Sequence, residues 1–316
     1  MEKRTLGHSE LEIAPLSFGG NVFGWTVDEA TSFKLLDAFT AAGFNLIDTA
    51  DTYSRWVPGN KGGESETIIG KWLNQSSARN KVLIATKVGM EMNLSRKGLS
   101  KAHIIRSAEE SLQRLQTDHI DLYQSHTDDF DTPLEETFEA YSQLIKQGKV
   151  RTIGASNYSA ARLSESLKIG KQHGYPIYQS LQTLYNLYDR AEYEIEFQPL
   201  CQNQGLGVIT YFSLASGFLS GKYRSGNDLG KSARGDFVSK YLNDRGFRIL
   251  RALDQIAKQY NVVPASISIA WLLARPGITS AIASATKLEQ LHSLIEGTEL
   301  RLDQSSMDLL NRDSAY

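Results

Sequence analysis

Short runs of β-branched and other apolar residues recur along the chain, each followed by a longer segment whose apolar residues lie three and four apart. The first pattern predicts strands and the second amphipathic helices. After a hairpin around Gly7, His8 and Ser9, strands are expected over residues 16–18, 45–49, 82–86, 120–125, 152–155, 177–181, 208–211 and 281–283. Helices are expected over residues 29–42, 103–115, 133–146 and 192–203. Pro133, with Glu135 and Glu136 in the first turn, marks a helix start, and Gly43 and Gly148 stand where helices end. The apolar stretch 262–274 is too short and too interrupted by serine to span a bilayer, and reads as a buried helix.

Strands alternating with helices imply a parallel sheet with helical crossovers. An open doubly wound sheet alternates in the same way, but its dinucleotide fingerprint is incomplete here. The turn Ser17-Phe18-Gly19-Gly20-Asn21 lacks the last glycine of that motif. The expected architecture is therefore an α/β (β/α)8 TIM barrel, one domain over residues 1–316, with an N-terminal β-hairpin and an extra C-terminal helix. The segment 221–236, rich in Gly, Ser and charge, is expected to be a mobile flap over a ligand.

Charge changes this picture little. The 34 basic and 36 acidic side chains form no long run of one sign, so neither nucleic acid nor an anionic membrane is an expected partner. Cys201 is the lone cysteine, excluding an intrachain disulfide and suiting a reducing, cytoplasmic setting, with the thiol buried and inert. The opening Met1-Glu2-Lys3-Arg4 lacks the apolar stretch of a signal peptide.

In a barrel, the loops after the strands converge on one mouth. The expected strand ends place Asp48 and Tyr53 there, then Lys87, His126, Ser156 with Asn157, Gln182 and Tyr211. A tyrosine is a weak acid, with an ordinary pKa of about 10. It becomes a useful proton donor when a lysine ammonium stabilises the phenolate and a carboxylate orients the lysine. Asp48, Lys87 and Tyr53 are the right types, and His126 would hydrogen-bond a carbonyl oxygen. Singly, each has a plainer reading: a loop carboxylate, a surface lysine, a rim aromatic, a structural histidine. Their placement on successive strand ends argues for carbonyl reduction. The aspartates Asp128, Asp129 and Asp131 are expected to cap the following helix rather than hold a metal, and no metal site is expected. The motifs GxSxG and the phosphate-loop lysine are absent.

These residues carry a resemblance to the aldo-keto reductase superfamily that covers nearly the whole chain. Its bearers are residues 43–53, Ala85-Thr86-Lys87, 121–126, 153–157, Gln182 with Tyr185-Asn186-Leu187, and 211–222. The resemblance implies a barrel that holds NADP(H), with NAD(H) also possible, and hydride transfer to a small-molecule aldehyde or ketone. By that likeness Tyr53 is the general acid, Lys87 lowers its pKa, Asp48 pairs with Lys87, and His126 orients the carbonyl. Ser156, Asn157 and Gln182 would hold the nicotinamide carboxamide, Tyr211 would stack on the ring, and Gly20 and Asn21 would lie beside the cofactor. Ser213, Leu214, Gly217, Leu219 and Lys222 would wrap the pyrophosphate, with Arg234 closing from the flap. Ser284, Thr286, Lys287 and Gln290 resemble the adenosine-phosphate segment, and Lys287 or Arg234 would favour NADP by meeting a 2′-phosphate. The chain departs from the family pattern at Ser284, a common glycine, at Ser293-Leu294, commonly Glu-Asn, and at Phe212-Ser213, commonly Ser-Pro.

Trp25, Arg55, Trp56, Met90, Met92 and Phe130 fall in the loops after the first four strands and are candidates for the substrate pocket, Arg55 as a receptor for a substrate carboxylate or phosphate. The branch with Tyr-Asn-Leu after the sixth strand also includes potassium-channel β subunits, so a nucleotide-binding regulatory protein with slow turnover is the alternative. His126 stands where asparagine can occur in that branch and favours an enzyme. A barrel hydrolase or isomerase using Asp48 and His126 without nicotinamide is the third reading.

Overall fold

The computed structural model describes residues 2–93 and 96–316. Met1, the first residue of the opening segment read above, lies outside them. Strands β1 (Arg4–Thr5) and β2 (Glu12–Ile13) form an antiparallel hairpin. The strands β3 (Leu16–Gly19), β4 (Leu46–Asp48), β5 (Leu83–Val88), β6 (Ile120–Ser125), β7 (Val150–Ser156), β8 (Ser180–Leu184), β9 (Gly207–Tyr211) and β10 (Ile278–Ala283) pair in chain order, and β10 closes on β3. Every pair is parallel, so the chain forms a (β/α)8 TIM barrel.

The outer layer is built from α1 (Glu29–Ala41), α2 (Glu64–Ser76), α3 (Lys101–Leu115), α4 (Leu134–Lys146), α5 (Ala160–His173), α6 (Gln198–Gln204), α7 (Gly235–Val238), α8 (Asp244–Tyr260), α9 (Pro264–Leu273), α10 (Leu288–Glu299) and α11 (Gln304–Asp313). Gly43 and Gly148, with φ of 88° and 71°, follow the ends of α1 and α4 in the left-handed region that glycine enters freely. α9 is buried on all sides, as its uniform apolarity requires, and α11 packs on α8 as the extra C-terminal helix. No helix of the described residues is long and apolar enough to cross a membrane.

Strand register decides what the barrel encloses. Residues paired across parallel strands point to the same face, and side chains alternate faces along each strand. Asp48 pairs with Ala85, Lys87 with Gln124, Gln124 with Gly154, Ser156 with Gln182, and Gln182 with Ile209. These residues therefore share the interior. Below them Leu46, Ala85, Leu122, Ile209 and Ile282 form an apolar layer, stoppered by Leu6, Leu11 and Ile13 of the hairpin region. The interior is thus largely apolar above the hairpin, apart from small hydroxyls such as the Ser17–Ser280 pair, and gathers its charged groups at the C-terminal ends of the strands.

Several expectations need correction. The sixth barrel strand is Ser180–Leu184, not 177–181, because Ile177 packs against Gly170 of α5 and Tyr178 buries its hydroxyl against Ser125. The expected helix over 192–203 divides into a π-turn, Tyr193–Phe197, and α6, where Pro199 supplies no N–H to the ladder. The segment 221–236 carries local structure that its composition did not announce, a 3-10 turn over Gly226–Lys231 with a Ser225–Asp228 capping box, and leads into α7. Neither Asp128, Asp129 nor Asp131 caps α4, whose N-cap is Pro133 without a side-chain bond. Asp129 instead accepts from the Leu99 and Asp131 N–H groups and the Thr132 hydroxyl, and Asp128 pairs with Arg162.

On the outer face of β6, buried Asp121 accepts from Arg79 and Arg151 at 2.8 Å each and from the Ile84 N–H at 2.9 Å. Removing this carboxylate strands the buried Ile84 N–H, while Arg79 keeps its bonds to Thr117, Val82 and His119 and Arg151 reaches water, at a cost of about 1–3 kcal/mol. Asp121→Ala should lower the unfolding free energy by about that amount, measured by urea denaturation.

Candidate active site

Four side chains expected at the mouth come together there. Lys87 is fully buried, and its Nζ donates to Asp48 Oδ2 at 2.8 Å, to the Thr49 carbonyl at 2.7 Å and to the Tyr53 hydroxyl at 2.8 Å. The Tyr53 hydroxyl in turn donates to Asp48 Oδ2 at 3.1 Å. His126 packs edge-on to Tyr53 with ring centroids 6.0 Å apart. Strand geometry brings this about: Asp48 ends β4, Lys87 lies two residues past its partner Ala85, and the turn after β4 carries Tyr53 back over them.

Burial, then the neighbouring Asp48 carboxylate, raises the Tyr53 phenol well above its ordinary pKa, with Arg234 acting in the opposite direction. Burial lowers Lys87, against the pull of Asp48. Burial, followed by the Lys87 charge, holds His126 well below the usual histidine range, so its imidazole is neutral at physiological pH. Its Nδ1 is buried without a hydrogen-bond partner.

Amide groups surround this centre. Gln182 Nε2 donates to Asp48 Oδ1 at 2.8 Å and to Gln124 Oε1 at 3.3 Å. Asn157, held at φ 53°, donates from Nδ2 to the His126 carbonyl at 2.8 Å and to Ser156 Oγ at 3.2 Å, and accepts from the Tyr211 hydroxyl at 2.9 Å. Asp48, Tyr53, His126, Ser156, Asn157, Gln182 and Tyr211 line a cavity of about 840 Å³.

The cavity extends from the four to a loop of unusual backbone. Phe212, Ala215 and Ser216 have φ of 50°, 48° and 58°, and Gly217 has 96°. The Asn186 amide ties this loop down by donating to the Phe212 carbonyl at 3.0 Å. Ser213, Leu214, Gly217 and Lys222 line the cavity, as do Ser284, Thr286 and Gln290. Arg234 reaches across from the segment before α7, its guanidinium 5.4 Å over the Trp25 ring and donating to Asn21 Oδ1 at 2.7 Å when that amide is turned to satisfy its neighbours. In that orientation Asn21 Nδ2 donates to Ser284 Oγ at 2.7 Å. Arg234 thus closes over the β3 end of the cavity rather than its Thr286 end.

Other expected residues lie off the wall. Leu219 is wholly buried in the core, and Gly20 is buried where a Cβ would meet Ser65 Oγ at 2.9 Å and the Asp48 carbonyl at 3.0 Å. Lys287 is exposed at the N-cap of α10, next to Thr286. Among the substrate-pocket candidates Trp56 and Met90 line the cavity, and Trp25 supports Trp56 at 5.5 Å. Arg55 donates to the Met92 carbonyl and Phe130, 80% exposed, lies under Arg162, so neither reaches the wall. The wall also includes Val22, Thr26, Thr52, Ser216, Ser220, Ser232 and Val263, which the sequence reading did not single out. Thr52 belongs to the 43–53 stretch and Ser216 and Ser220 to the 211–222 stretch already noted, Ser232 and Val263 fall in the 221–236 and 262–274 segments, and Val22 and Thr26 carry no charge or spacing that marks them.

Comparisons with known proteins identify the family of the chain. The sequence model described as "Aldo/keto reductase family" matches residues 15–313. An uncharacterized oxidoreductase, YrpG, of Bacillus subtilis is 34% identical over 98% of this chain and 95% of its own length. A probable voltage-gated potassium channel subunit beta of rice is 34% identical over 92% of this chain and 89% of its own. Aldo-keto reductase YhdN of Bacillus subtilis is 31% identical over 96% and 89% respectively. The chain therefore belongs to the aldo/keto reductase family, whose chemistry is the oxidoreduction of carbonyl compounds.

Proposed function

We propose that this protein is a cytoplasmic enzyme that reduces aldehydes and ketones to alcohols with NADPH, Tyr53 giving the proton. The observation that carries the reading is the Lys87 ammonium at 2.8 Å from both the Tyr53 hydroxyl and Asp48, beside a cavity large enough for a dinucleotide and a small carbonyl. Nicotinamide bound in that cavity would supply hydride to the carbonyl carbon. Tyr53 keeps its proton at neutral pH and so has one to give to the developing alkoxide. The phenolate left behind forms within an existing hydrogen bond from Lys87, which offsets the cost of a buried negative charge. Three acceptors around Lys87 Nζ match the three protons of an ammonium. Neutral His126 has one N–H. With Nδ1 buried and unpartnered, we place it on Nε2, as donor to the substrate oxygen.

The far half of the cavity suits phosphates. Lys222 brings positive charge to its wall beside the hydroxyl-rich 213–220 loop, and Arg234 adds charge at the β3 end. Ser156, Asn157, Gln182 and Tyr211 stand where they would hold nicotinamide. Lys287, exposed next to Thr286 and free of ion pairs among the described residues, is our candidate for a 2′-phosphate. Trp56 and Met90 give the opening beside Tyr53 an apolar wall, suited to aliphatic or aryl substituents.

Titrating NADPH and NADH into the protein, then following nicotinamide absorbance with a panel of aldehydes, tests the reading. Aldehyde-dependent oxidation supports it. Tight binding without turnover would replace it with the regulatory reading, and no binding would overturn both. Tyr53→Phe should reduce kcat/KM by about 10³-fold while NADPH affinity stays near that of the parent, by fluorescence titration. Lys287→Ala should weaken NADPH by about tenfold and leave NADH nearly unchanged, whereas Arg234→Ala should weaken both alike because its guanidinium lies at the Asn21 end.

A further inference from the structure

The turn joining β4 to Tyr53 is docked on β5. Thr49 N–H donates to the Ala85 carbonyl at 2.8 Å, and Asp51 N–H to the Lys87 carbonyl at 3.3 Å. The Asp51 side chain is 1% exposed, and among the described residues no side chain hydrogen-bonds either carboxyl oxygen; the Thr52 N–H alone faces the carboxyl. Its charged and titratable neighbours come from each element packed around it: Glu66 of α2, Arg114 of α3, Arg96 of the segment before α3, Lys87 of β5 and Tyr123 of β6.

The cations nearby are already committed. Glu66, wholly buried, accepts from Thr86 Oγ1 at 2.5 Å and from Arg114 Nε at 2.7 Å. Arg96 is ion-paired with Glu110 through a terminal nitrogen, its Nε lying buried without a partner among the described residues, and Lys87 is paired with Asp48. A second carboxylate beside Glu66 would have no cation of its own. Burial and Glu66 accordingly push the Asp51 carboxyl up to about 8, while Arg114 and Arg96 act against that rise.

We propose that Asp51 is a positioning residue for Tyr53: its neutral carboxyl lets the turn stay docked on β5, and loss of its proton undocks the turn and withdraws the proton donor. The proton passes to solvent, and no other reactant is involved. The functional half of this proposal rests on Tyr53 acting as the acid; the docking half does not. The sign of the pH dependence follows from the raised value. Between the unfolded carboxyl's pKa of about 4 and the folded value of about 8, the folded chain holds a proton that the unfolded chain has lost. The stability from this group therefore falls as pH rises across that window and is fully lost above it.

The test measures amide hydrogen exchange of the 49–57 segment from pH 6 to about 9.5, corrected for intrinsic exchange, in the unliganded parent and in Asp51→Asn, together with kcat/KM for aldehyde reduction over the same range. In the parent, protection should fall at least about tenfold through a midpoint near 8, with kcat/KM falling at the same midpoint. In Asp51→Asn, protection should stay level, the alkaline fall in kcat/KM should move to higher pH, and the thermal midpoint above pH 8 should exceed the parent's. Glu66→Gln, which removes the neighbouring charge but keeps the shape, should move the parent's exchange midpoint to lower pH, and serves if Asp51→Asn does not fold. Level exchange in the parent, or the same pH response in parent and variants, would overturn the proposal. A protein that reduces no carbonyl would overturn the reductase reading, while the exchange arm still decides whether Asp51 docks the turn.

Discussion

A lysine and an aspartate both taken out of water make an expensive pair, and the upper barrel is arranged around that expense. Lys87 and Asp48 are 0% and 2% exposed, and desolvating such ions costs several kcal/mol each unless every proton and lone pair is met. Here the requirement is satisfied from different strands. The Thr49 carbonyl and the Tyr53 hydroxyl take the other protons of the ammonium, and Gln182 of β8 comes from across the barrel to the free oxygen of Asp48. Breaking a pair of this kind by removing one partner leaves an uncompensated buried charge, which is more costly than never having built it. The same contacts that make the pair tolerable hold the Tyr53 phenol at the cavity wall.

Most of this was legible in the sequence because barrel register turns sequence position into spatial position. Once strands are read near residues 48, 87, 126, 156 and 182, their ends must converge, and they do. The less legible features are those in which a side chain answers to something other than its own strand. Ile177 looked like a strand residue but serves α5, which displaced the sixth strand by three residues. Arg234 was visible as a cation in a Gly-rich segment; only the folded chain shows that its guanidinium is held over Trp25 and at Asn21. Asp51 reads as one more polar residue in a loop motif, and its isolation among committed charges belongs to packing between α2, α3 and the barrel.

Backbone strain is distributed with equal economy. Among the described residues, non-glycine positions with positive φ fall into two groups. Ser77, Gln116 and Asn261 are C-caps of α2, α3 and α8, where left-handed backbone is the ordinary way to end a helix. Ser54, Asn157, Phe212, Ala215 and Ser216 all lie in loops after β4, β7 and β9, around the mouth. Each costs about 1–3 kcal/mol and persists only where its surroundings hold it. Those holds are visible: Ser54 Oγ donates to the Phe23 carbonyl at 2.6 Å, Asn157 is tied to His126 and Tyr211, and the Phe212 carbonyl accepts from Asn186 and from the Ala215 N–H. The strands below carry no such residue, so the barrel supplies the stability and the mouth spends it on geometry. A polar, strained ring above an apolar, regular one is what a fold needs if it is to hold charged groups still without help from water.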